Sequence, residues 1–437
     1  MLRPYTWDRK KIGSIIPGSL ILCNIVPGTI PTGGSLPVKP LSTAKMLIYS
    51  TGNAGANLVY AFANFGLPLF LSAYPVNNVV VGLLAQERSL VGGFVQPLVG
   101  VLSDRLPPNR LGRRRPFFLV GVPLTALSLL VLSAYPPLWA VLAVMTVLSF
   151  FLAVAYDPYM ALMPDITPPE QRGRVGGVMA VFNMLGTLLL IGVAFALWQQ
   201  HQQLVFWLVA GGLVASFGVT FFGITEPRLS EVRRPEPRPS AAVYLRDVLS
   251  RREMMKYLAC TFFFWLGNGG VTPFVTRFGV EVMGLPENVS FLMVLPAILG
   301  TAAFAVPAGL LTERYGKKPV LTVGFFLFGA AALVGAQLVH GIPDGIVLMS
   351  IVGVANAITT ALIFPLFADM IPPTRIGEFT GISSFVASIA QPLGAVAAGA
   401  MVDTTGSMRG AFSAGGVAML IAFALLLTVR QPVIGGE

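Results

Sequence analysis

Long apolar stretches alternate with short polar segments along most of this 437-residue chain. Each stretch has about 20 or more mostly apolar residues, which at about 1.5 Å per residue is enough to cross the roughly 30 Å hydrocarbon core of a bilayer. The pattern therefore predicts an all-α integral membrane protein with twelve transmembrane helices, near 46–72, 78–102, 116–135, 138–163, 175–198, 204–224, 257–279, 288–312, 319–340, 344–367, 379–402 and 410–429.

The longest polar break, 226–256, separates two sets of six predicted helices. It is rich in Pro, Arg and Glu, and we interpret it as a linker that is partly helical along the membrane surface over Tyr244–Lys256. The predicted organisation is an N-terminal arm, expected to be disordered, then a six-helix bundle, the linker, a second six-helix bundle and a tail, at 1–45, 46–225, 226–256, 257–430 and 431–437.

Composition supports a membrane protein and excludes other classes. Apolar residues make up 55% of the chain and charged residues only 11%, less than half the roughly 25% usual in soluble domains. The mean hydropathy of +0.76 rules out a water-soluble protein. High apolar content with little charge rules out a disordered one.

Residue types that carry catalysis or hold metals are scarce. The two cysteines, Cys23 and Cys260, and the two histidines, His201 and His340, support neither a disulfide framework nor a zinc site or His-based triad. We therefore expect no enzyme activity, no metal and no cofactor. The sequence also has no nucleotide-binding loop of the Gly-x-x-x-x-Gly-Lys-Ser/Thr type, which argues against transport driven directly by ATP hydrolysis.

Basic residues lie on one side of the predicted helices. The N-terminal arm holds six Lys or Arg, the loop after the second helix five and the central linker eight, whereas the opposite loops hold only Arg409. Because cytoplasmic loops carry excess Lys and Arg, both chain ends are predicted to be cytoplasmic, and we expect a multi-pass protein of the cell (inner) membrane. Orientation and anionic lipid explain the run Arg113–Arg115 better than nucleic acid does.

The two halves of the chain contain matching motifs. The second helix of each half ends in Gly-x-x-x-acid-Arg followed by Gly and two basic residues, at 100–105 with 112–114 and at 309–314 with 316–318. A second motif matches at a constant offset: Asp165, Pro168, Pro169, Gly173 and Gly177 correspond to Asp369, Pro372, Pro373, Gly377 and Gly381. Duplicated six-helix halves are a transporter architecture, with the solute site between the repeats near the bilayer midplane.

The duplicated acid-Arg…Gly-basic-basic loop resembles the signature of the major facilitator superfamily. The resemblance implies two six-helix bundles related by a pseudo-two-fold axis along the membrane normal, which rock to give alternating access. It also implies that the loops gate this motion through charges that separate when the halves move. The gating residues would be Asp104, Arg105, Gly112, Arg113, Arg114, Glu313, Arg314, Gly316 and Lys317.

Two further stretches resemble sugar transporters within that superfamily. The run 95–105 with 112–116 is similar to the sucrose/proton symporters, and 158–165 is similar to these and to the glycoside–pentoside–hexuronide cation symporters. The chain departs from both groups. It has Gln96 directly before Pro97 and Asp157 directly before Pro158, whereas the sodium-coupled members have their acids at other positions relative to these prolines. The coupling ion and the sugar therefore cannot be inferred from these groups, and sodium remains an alternative to the proton as the coupling ion.

Two acids, Glu87 and Asp157, fall inside predicted spans. An ionised carboxylate at the membrane centre costs roughly 2.5–3.5 kcal/mol, so such acids are functional candidates by default. A change in hydration between two transporter states would load or release a proton, which makes both residues proton-coupling candidates. The alternatives are a structural ion pair for Glu87 and capping of backbone N–H groups at the Asp157-Pro158 step.

Helix 1 carries Asn53, Asn57, Tyr60 and Asn64 at spacings that place them on one face of a helix. A sugar site needs hydrogen-bonding groups for hydroxyls and aromatic rings for the C–H face, and this stripe offers both. Ordinary hydrogen bonding between helices, worth about 0.6 kcal/mol a pair, is the alternative for each residue. The other candidates for solute binding are Gln96, Tyr156, Tyr159, Asn183, Trp265, Asn268, Asn356 and Gln391.

Together these features predict a secondary active transporter of a small polar solute, a mono- or disaccharide or glycoside, by proton symport. Proton-linked efflux of drugs or metabolites is the alternative within transport, and a membrane sensor that binds solute without moving it is the alternative outside it. We expect a monomer whose partners are the solute and the lipid bilayer.

Overall fold

In the computed structural model, the described residues 40–105, 112–226, 250–371 and 376–430 form twelve long helices. The first six are α1 (Thr43–Leu71), α2 (Asn78–Arg105), α3 (Pro116–Ser133), α4 (Leu138–Ile166), α5 (Arg172–Leu197) and α6 (Gln202–Gly223). The second six are α7 (Arg252–Glu281), α8 (Glu287–Tyr315), α9 (Lys317–Leu338), α10 (Ile342–Ala368), α11 (Ile376–Thr405) and α12 (Arg409–Thr428). The predicted all-α fold with two sets of six long helices is confirmed.

One helix, α2, is less apolar than the others. Eleven of the described helices contain a segment long and apolar enough to span a membrane, and α2 is the exception. Its run Gln86-Glu87-Arg88 lowers its hydropathy. At about 1.5 Å per residue, Arg88 lies about 15 Å along the helix from Asn78, so the polar run is near the middle of the helix.

The helices extend beyond their apolar stretches by up to five residues, most clearly at α7. The last residues of the predicted linker, 252–256, form the first part of α7, which begins at Arg252. Lys256 pairs with Glu253 one turn earlier at 2.7 Å, which stabilises this polar first part of the helix. The predicted arm and linker fall largely on residues 1–39 and 227–249, outside the described part of the chain, so the domain boundaries stay predictions.

The duplication seen in the sequence is repeated in atomic contacts. In the first half, the Tyr49 hydroxyl of α1 donates a hydrogen bond to the Tyr159 carbonyl of α4, at 2.5 Å. In the second half, the Tyr257 hydroxyl of α7 donates to the Ile363 carbonyl of α10, also at 2.5 Å. The two acceptors are 204 residues apart, the offset that relates the matching loop motifs. The first and fourth helices of each half are therefore joined in the same way.

The two halves meet at one face of the molecule. We name the face where α1 begins and α12 ends the terminal face, and the opposite one the distal face. Among the described residues, every hydrogen bond between the halves lies at the distal face or near mid-helix. For example, the Trp198 indole donates to Glu287 at 2.8 Å, and the Thr276 hydroxyl donates to the Phe65 carbonyl at 2.8 Å. The structure is therefore closed at the distal face.

Glycine allows α7 and α11 to pack closely. A Cβ atom on Gly394 of α11 would overlap the backbone carbonyl oxygen of Leu266 on α7, and a backbone atom cannot turn aside as a flexible side chain can. The close approach of these two helices therefore requires glycine at this position.

We expect Gly394→Ala to lower the melting temperature of the purified protein, because overpacking typically costs about 1–3 kcal/mol. Gly192→Ala on α5 is the matched control, because a Cβ there has no neighbour within 4 Å. Its melting temperature should stay the same or rise, since alanine favours helix by about 1 kcal/mol over glycine. Equal melting temperatures for the two variants would contradict this account of the packing.

Candidate functional site

Arg88 places a cation within the helices of the first half. Its guanidinium carbon lies 4.2 Å from the centre of the Tyr60 ring of α1. The Tyr60 ring meets the Tyr156 ring of α4 edge-on, with centroids 5.3 Å apart. The Tyr156 hydroxyl in turn donates to the Asn53 side-chain oxygen at 3.0 Å. We name these four residues, Asn53, Tyr60, Arg88 and Tyr156, the Arg88 network.

The polar stripe of α1 faces several helices. Asn53 is buried and its amide donates to the Met179 carbonyl of α5 at 2.7 Å. The Asn57 amide donates to the Asn183 carbonyl of α5 and to the Thr187 hydroxyl, both at 2.6 Å. These donors join α1 to α5, which is the interhelical role that the sequence left open. The Asn183 side chain itself is exposed.

One hydrogen bond joins α2 to α1 beside the Arg88 network, and another joins α2 to the second half of the molecule. The Gln86 amide of α2 donates to the Asn64 side-chain oxygen at 3.3 Å. The Ser89 hydroxyl, next to Arg88 in sequence, donates to the Gln391 side-chain oxygen of α11 at 3.1 Å. Arg88 therefore lies between two residues of α2, Gln86 and Ser89, that bond to α1 and to the second half near mid-helix.

The two predicted coupling acids lie in different surroundings. Asp157 lies close enough to Tyr60 and Tyr156 for its charge to act on both phenols, and its Oδ2 atom is buried without a hydrogen-bond partner. The Glu87 carboxyl lies within hydrogen-bonding reach of Thr146 on α4, and its Oε2 atom is also buried without a partner. The structure thus brings Asp157, and not Glu87, to the Arg88 network.

Tyr159 stacks against Tyr156 of the Arg88 network, with ring centroids 5.9 Å apart, whereas Gln96 and Trp265 lie elsewhere. Tyr159 is fully buried and its hydroxyl donates to the Tyr49 carbonyl at 2.8 Å, so its ring cannot form the wall of a cavity. Gln96 is exposed on α2. Trp265 packs edge-on against Phe264 in the core of the second half. We therefore leave these residues out of the proposed site.

The two asparagines of the second half also serve local contacts. Asn356 of α10 donates to the Thr301 hydroxyl of α8 at 3.3 Å, which joins two helices of the same half. The Asn268 side-chain oxygen accepts a long hydrogen bond of 3.5 Å from Thr272, one turn later in α7. Of the candidates in the second half, only Gln391 is joined to the first half by a hydrogen bond among the described residues.

In the first half, the predicted gating loop is pinned to the end of α4. Arg114 Nε donates to Asp165 at 2.7 Å, and Arg113 lies 3.3 Å from the same oxygen. Gly112 has φ of +100°, a left-handed conformation that favours glycine, and lies against the Glu226 carboxylate, which accepts from the Arg114 backbone N–H at 2.9 Å. The side chains of Asp104 and Arg105 lie outside the described part of the chain.

The second half repeats this arrangement with different residues. Lys317 Nζ lies 2.6 Å from the Asp369 carboxylate at the end of α10, which corresponds to the pairing with Asp165 in the first half. Gly316 also has positive φ, at +86°. Glu313 and Arg314 are exposed, and the Arg314 guanidinium lies 5.3 Å from the Tyr315 ring centre. Each gating loop is therefore tied to the fourth helix of its own half.

At the distal face, a group of polar residues joins α2 to the second half. The Asp403 carboxylate of α11 accepts from the Asn78 backbone N–H at 3.0 Å, from the Asn78 amide at 2.6 Å and from the Val79 N–H at 3.3 Å. Asp403 therefore caps the N-terminus of α2 across the interface. Arg277 donates to the Asn78 side-chain oxygen at 2.5 Å and pairs with Glu281 at 2.8 Å. We name Asn78, Arg277 and Asp403 the distal latch.

The sequence did not predict the roles of Arg88 and the distal latch. Neither Arg88 nor Asp403 is among the candidates named from the sequence, although the run Gln86-Glu87-Arg88 lowers the hydropathy of its helix visibly. Asp403 leaves no local pattern, because the helix end that it caps lies 325 positions away.

Known proteins resemble this chain in sequence and in fold. A family profile described as Major Facilitator Superfamily matches residues 49–304 and 286–437. A hexuronate transporter of Bacillus subtilis is 28% identical over 295 residues, 61% of this chain and 67% of that protein. An uncharacterized MFS-type transporter of Methanocaldococcus jannaschii is 21% identical over 339 residues, 74% and 81% of the two chains. The crystal structure of the nucleoside transporter NupG superposes with a TM-score of 0.68 at 12% identity, over 88% of this chain and 97% of that one, which is a likeness of fold.

Proposed function

This chain belongs to the major facilitator superfamily and is a multi-pass secondary transporter, and on that premise we propose that it carries a small sugar or sugar derivative by proton symport. The observation that carries this proposal is the Arg88 network, a group of amide, phenol and guanidinium side chains near mid-helix, beside the bond between Ser89 and Gln391 that joins the halves. That position is where transporters built from repeated halves bind their solutes.

The chemistry of the network suits a sugar. Sugar hydroxyls need both donors and acceptors, which Ser89 and Gln391 supply at the interface and Asn64 supplies on α1. The Tyr60 ring offers an apolar surface for the C–H face of a sugar ring. The similarity to a protein named as a hexuronate transporter favours the same solute class.

Asp157 is the acid that we assign to proton coupling. Its Oδ2 atom is buried without a hydrogen-bond partner, next to the phenols of the network. An ionised carboxylate is costly in that setting, by roughly 2.5–3.5 kcal/mol at a helix centre in a membrane. A proton taken up there would remove this cost before the loaded transporter changes state. The proton would leave when the carboxyl meets water on the other side.

Alternating access would proceed by rocking of the two halves. In the state described here, the bonds between the halves lie at the distal face and mid-helix, so solute would reach the site from the terminal face. The ion pairs of Arg114 with Asp165 and of Lys317 with Asp369 lie within single halves and would move with them. Opening toward the distal face would require the distal latch to separate.

We propose that the terminal face is cytoplasmic, in a cell inner membrane, because Lys and Arg are concentrated on that side. We propose a monomer as the working unit, because the Arg88 network, the coupling acid and the distal latch all come from one chain.

Uptake by proteoliposomes tests the proposed function. Labelled sucrose, maltose, glucose and glucuronate would be offered with and without an inward proton gradient, with empty liposomes and a protonophore as controls. We expect accumulation of at least one of them, up to about tenfold per pH unit for one proton per solute. If the folded protein accumulates none of the four under any gradient, the sugar proposal is wrong and proton-linked efflux becomes the better explanation.

A further inference from the structure

The positive charge of Arg88 has no carboxylate partner among the described residues. In the described part of the chain, no carboxylate forms an ion pair with Arg88, and its Nε atom is buried without a hydrogen-bond partner. A cation near the centre of a membrane helix costs roughly 2.5–3.5 kcal/mol, so arginines in such positions are paired or functional.

The neighbouring acids do not compensate this charge. Glu87 is adjacent in sequence, but successive side chains point about 100° apart around a helix, and its carboxyl lies beside Thr146. Asp157 approaches the same tyrosines as Arg88, yet its Oδ2 atom also lacks a hydrogen-bond partner. Arg88, Glu87 and Asp157 therefore each have a buried polar atom without a hydrogen-bond partner.

The Tyr60 side chain stabilises the Arg88 charge through its ring and its hydroxyl. A guanidinium 4.2 Å from a ring centre is held by a cation–π contact, and the buried Nε donor of Arg88 is left without a partner. The donors of a guanidinium form a planar fork that fits the two oxygens of a carboxylate. Ser89, the next residue of α2, reaches Gln391 of the second half, so Arg88 lies at the same level of α2 as a contact between the halves.

From this geometry we propose that the transported solute carries a carboxylate, which binds to the guanidinium of Arg88. This inference rests on the proposed function and narrows it, because it assigns the solute a negative charge. Binding would neutralise Arg88 before the site closes. A neutral analogue would leave the cation unpaired inside the closed transporter and would therefore bind more weakly.

Two matched pairs of probes separate the carboxylate from the sugar. Glucuronate differs from glucose, and benzoate from benzyl alcohol, by a carboxylate in place of a CH₂OH group. Isothermal titration of the purified protein would measure the four affinities. In at least one pair we expect the carboxylate to bind about tenfold to a hundredfold more tightly than the alcohol, as for hydrogen bonds to a charged group.

Three variants assign this preference to Arg88. Arg88→Gln should remove the preference for the carboxylate, and Arg88→Lys should reduce it, because lysine keeps the charge and loses the fork. Arg174→Gln removes a charge that is exposed at the start of α5 and should keep the wild-type preference. Melting curves would show that each variant is folded.

The outcomes distinguish this inference from the proposed function. A preference for benzoate without binding of either sugar probe would support the role of Arg88 and overturn the sugar proposal. Equal binding of glucose and glucuronate, unchanged in Arg88→Gln, would overturn the role of Arg88 and leave the sugar proposal standing. The wild-type comparison needs no variant, so failure of all four probes to bind would count against both.

Discussion

Asp157→Asn is expected to abolish proton-driven accumulation of solute while preserving exchange of solute across the membrane. Asparagine has nearly the same shape as aspartate but cannot bind and release a proton, so the transporter would move solute without coupling. The structure supports Asp157 for this role because its carboxyl lies beside Tyr60 and Tyr156 with one oxygen unpaired. Under a gradient of one pH unit, accumulation should fall from as much as about tenfold to none.

Two parallel variants make this result interpretable. Glu87→Gln tests the other intramembrane acid, whose carboxyl lies beside Thr146 on α4, apart from the Arg88 network. Asp344→Asn changes a distal acid that accepts a hydrogen bond from the His340 backbone within its own half. Accumulation that survives in Asp157→Asn and is lost in Glu87→Gln would transfer the coupling role to Glu87.

Asp403→Ala is expected to shift the transporter toward a state that is open at the distal face. The Asp403 carboxylate accepts three hydrogen bonds from Asn78 and Val79, and all three cross the interface between the halves. Loss of a helix N-cap costs about 0.5–2 kcal/mol, which should change the ratio of closed to open states by a factor of about 2 to 30.

Spin labels at two exposed distal positions would measure this shift. Gln200 follows α5 in the first half, and Thr404 lies at the end of α11 in the second. After removal of the two native cysteines, labels at these sites should show a longer or broader distance distribution in Asp403→Ala than in the wild type. Asp344→Asn should leave the distribution unchanged. An unaltered distribution in Asp403→Ala would show that the distal latch does not hold the halves together.

The fold could be predicted from the sequence because hydropathy and duplication are local or repeated signals. Twelve apolar stretches predicted twelve helices, and the offset of 204 between Asp165 and Asp369 also relates Tyr159 and Ile363, whose carbonyls accept the matching tyrosine bonds. The helix ends could not be placed as well. Hydropathy marks the part of a helix in hydrocarbon, whereas α7 continues into polar turns stabilised by the pair of Glu253 and Lys256.

The site could be predicted only in part, because residue spacing shows which residues share a face of a helix and not which neighbouring residues that face contacts. Asn53, Asn57, Tyr60 and Asn64 lie on one side of α1, but Asn53 and Asn57 bind backbone carbonyls of α5. Only the packing of α1, α2 and α4 shows that Arg88 lies over Tyr60. Contacts between distant parts of the chain, such as Ser89 with Gln391, leave no periodic signal.

The most direct test of coupled symport is the pH of a weakly buffered suspension of proteoliposomes when solute is added without an imposed gradient. The solute would be the one that shows the strongest uptake in the transport assay. Inward movement of solute with protons predicts that the external medium becomes more alkaline, and that Asp157→Asn gives no pH change while solute still equilibrates. Acidification, or solute uptake by the wild type without any pH change, would contradict proton symport.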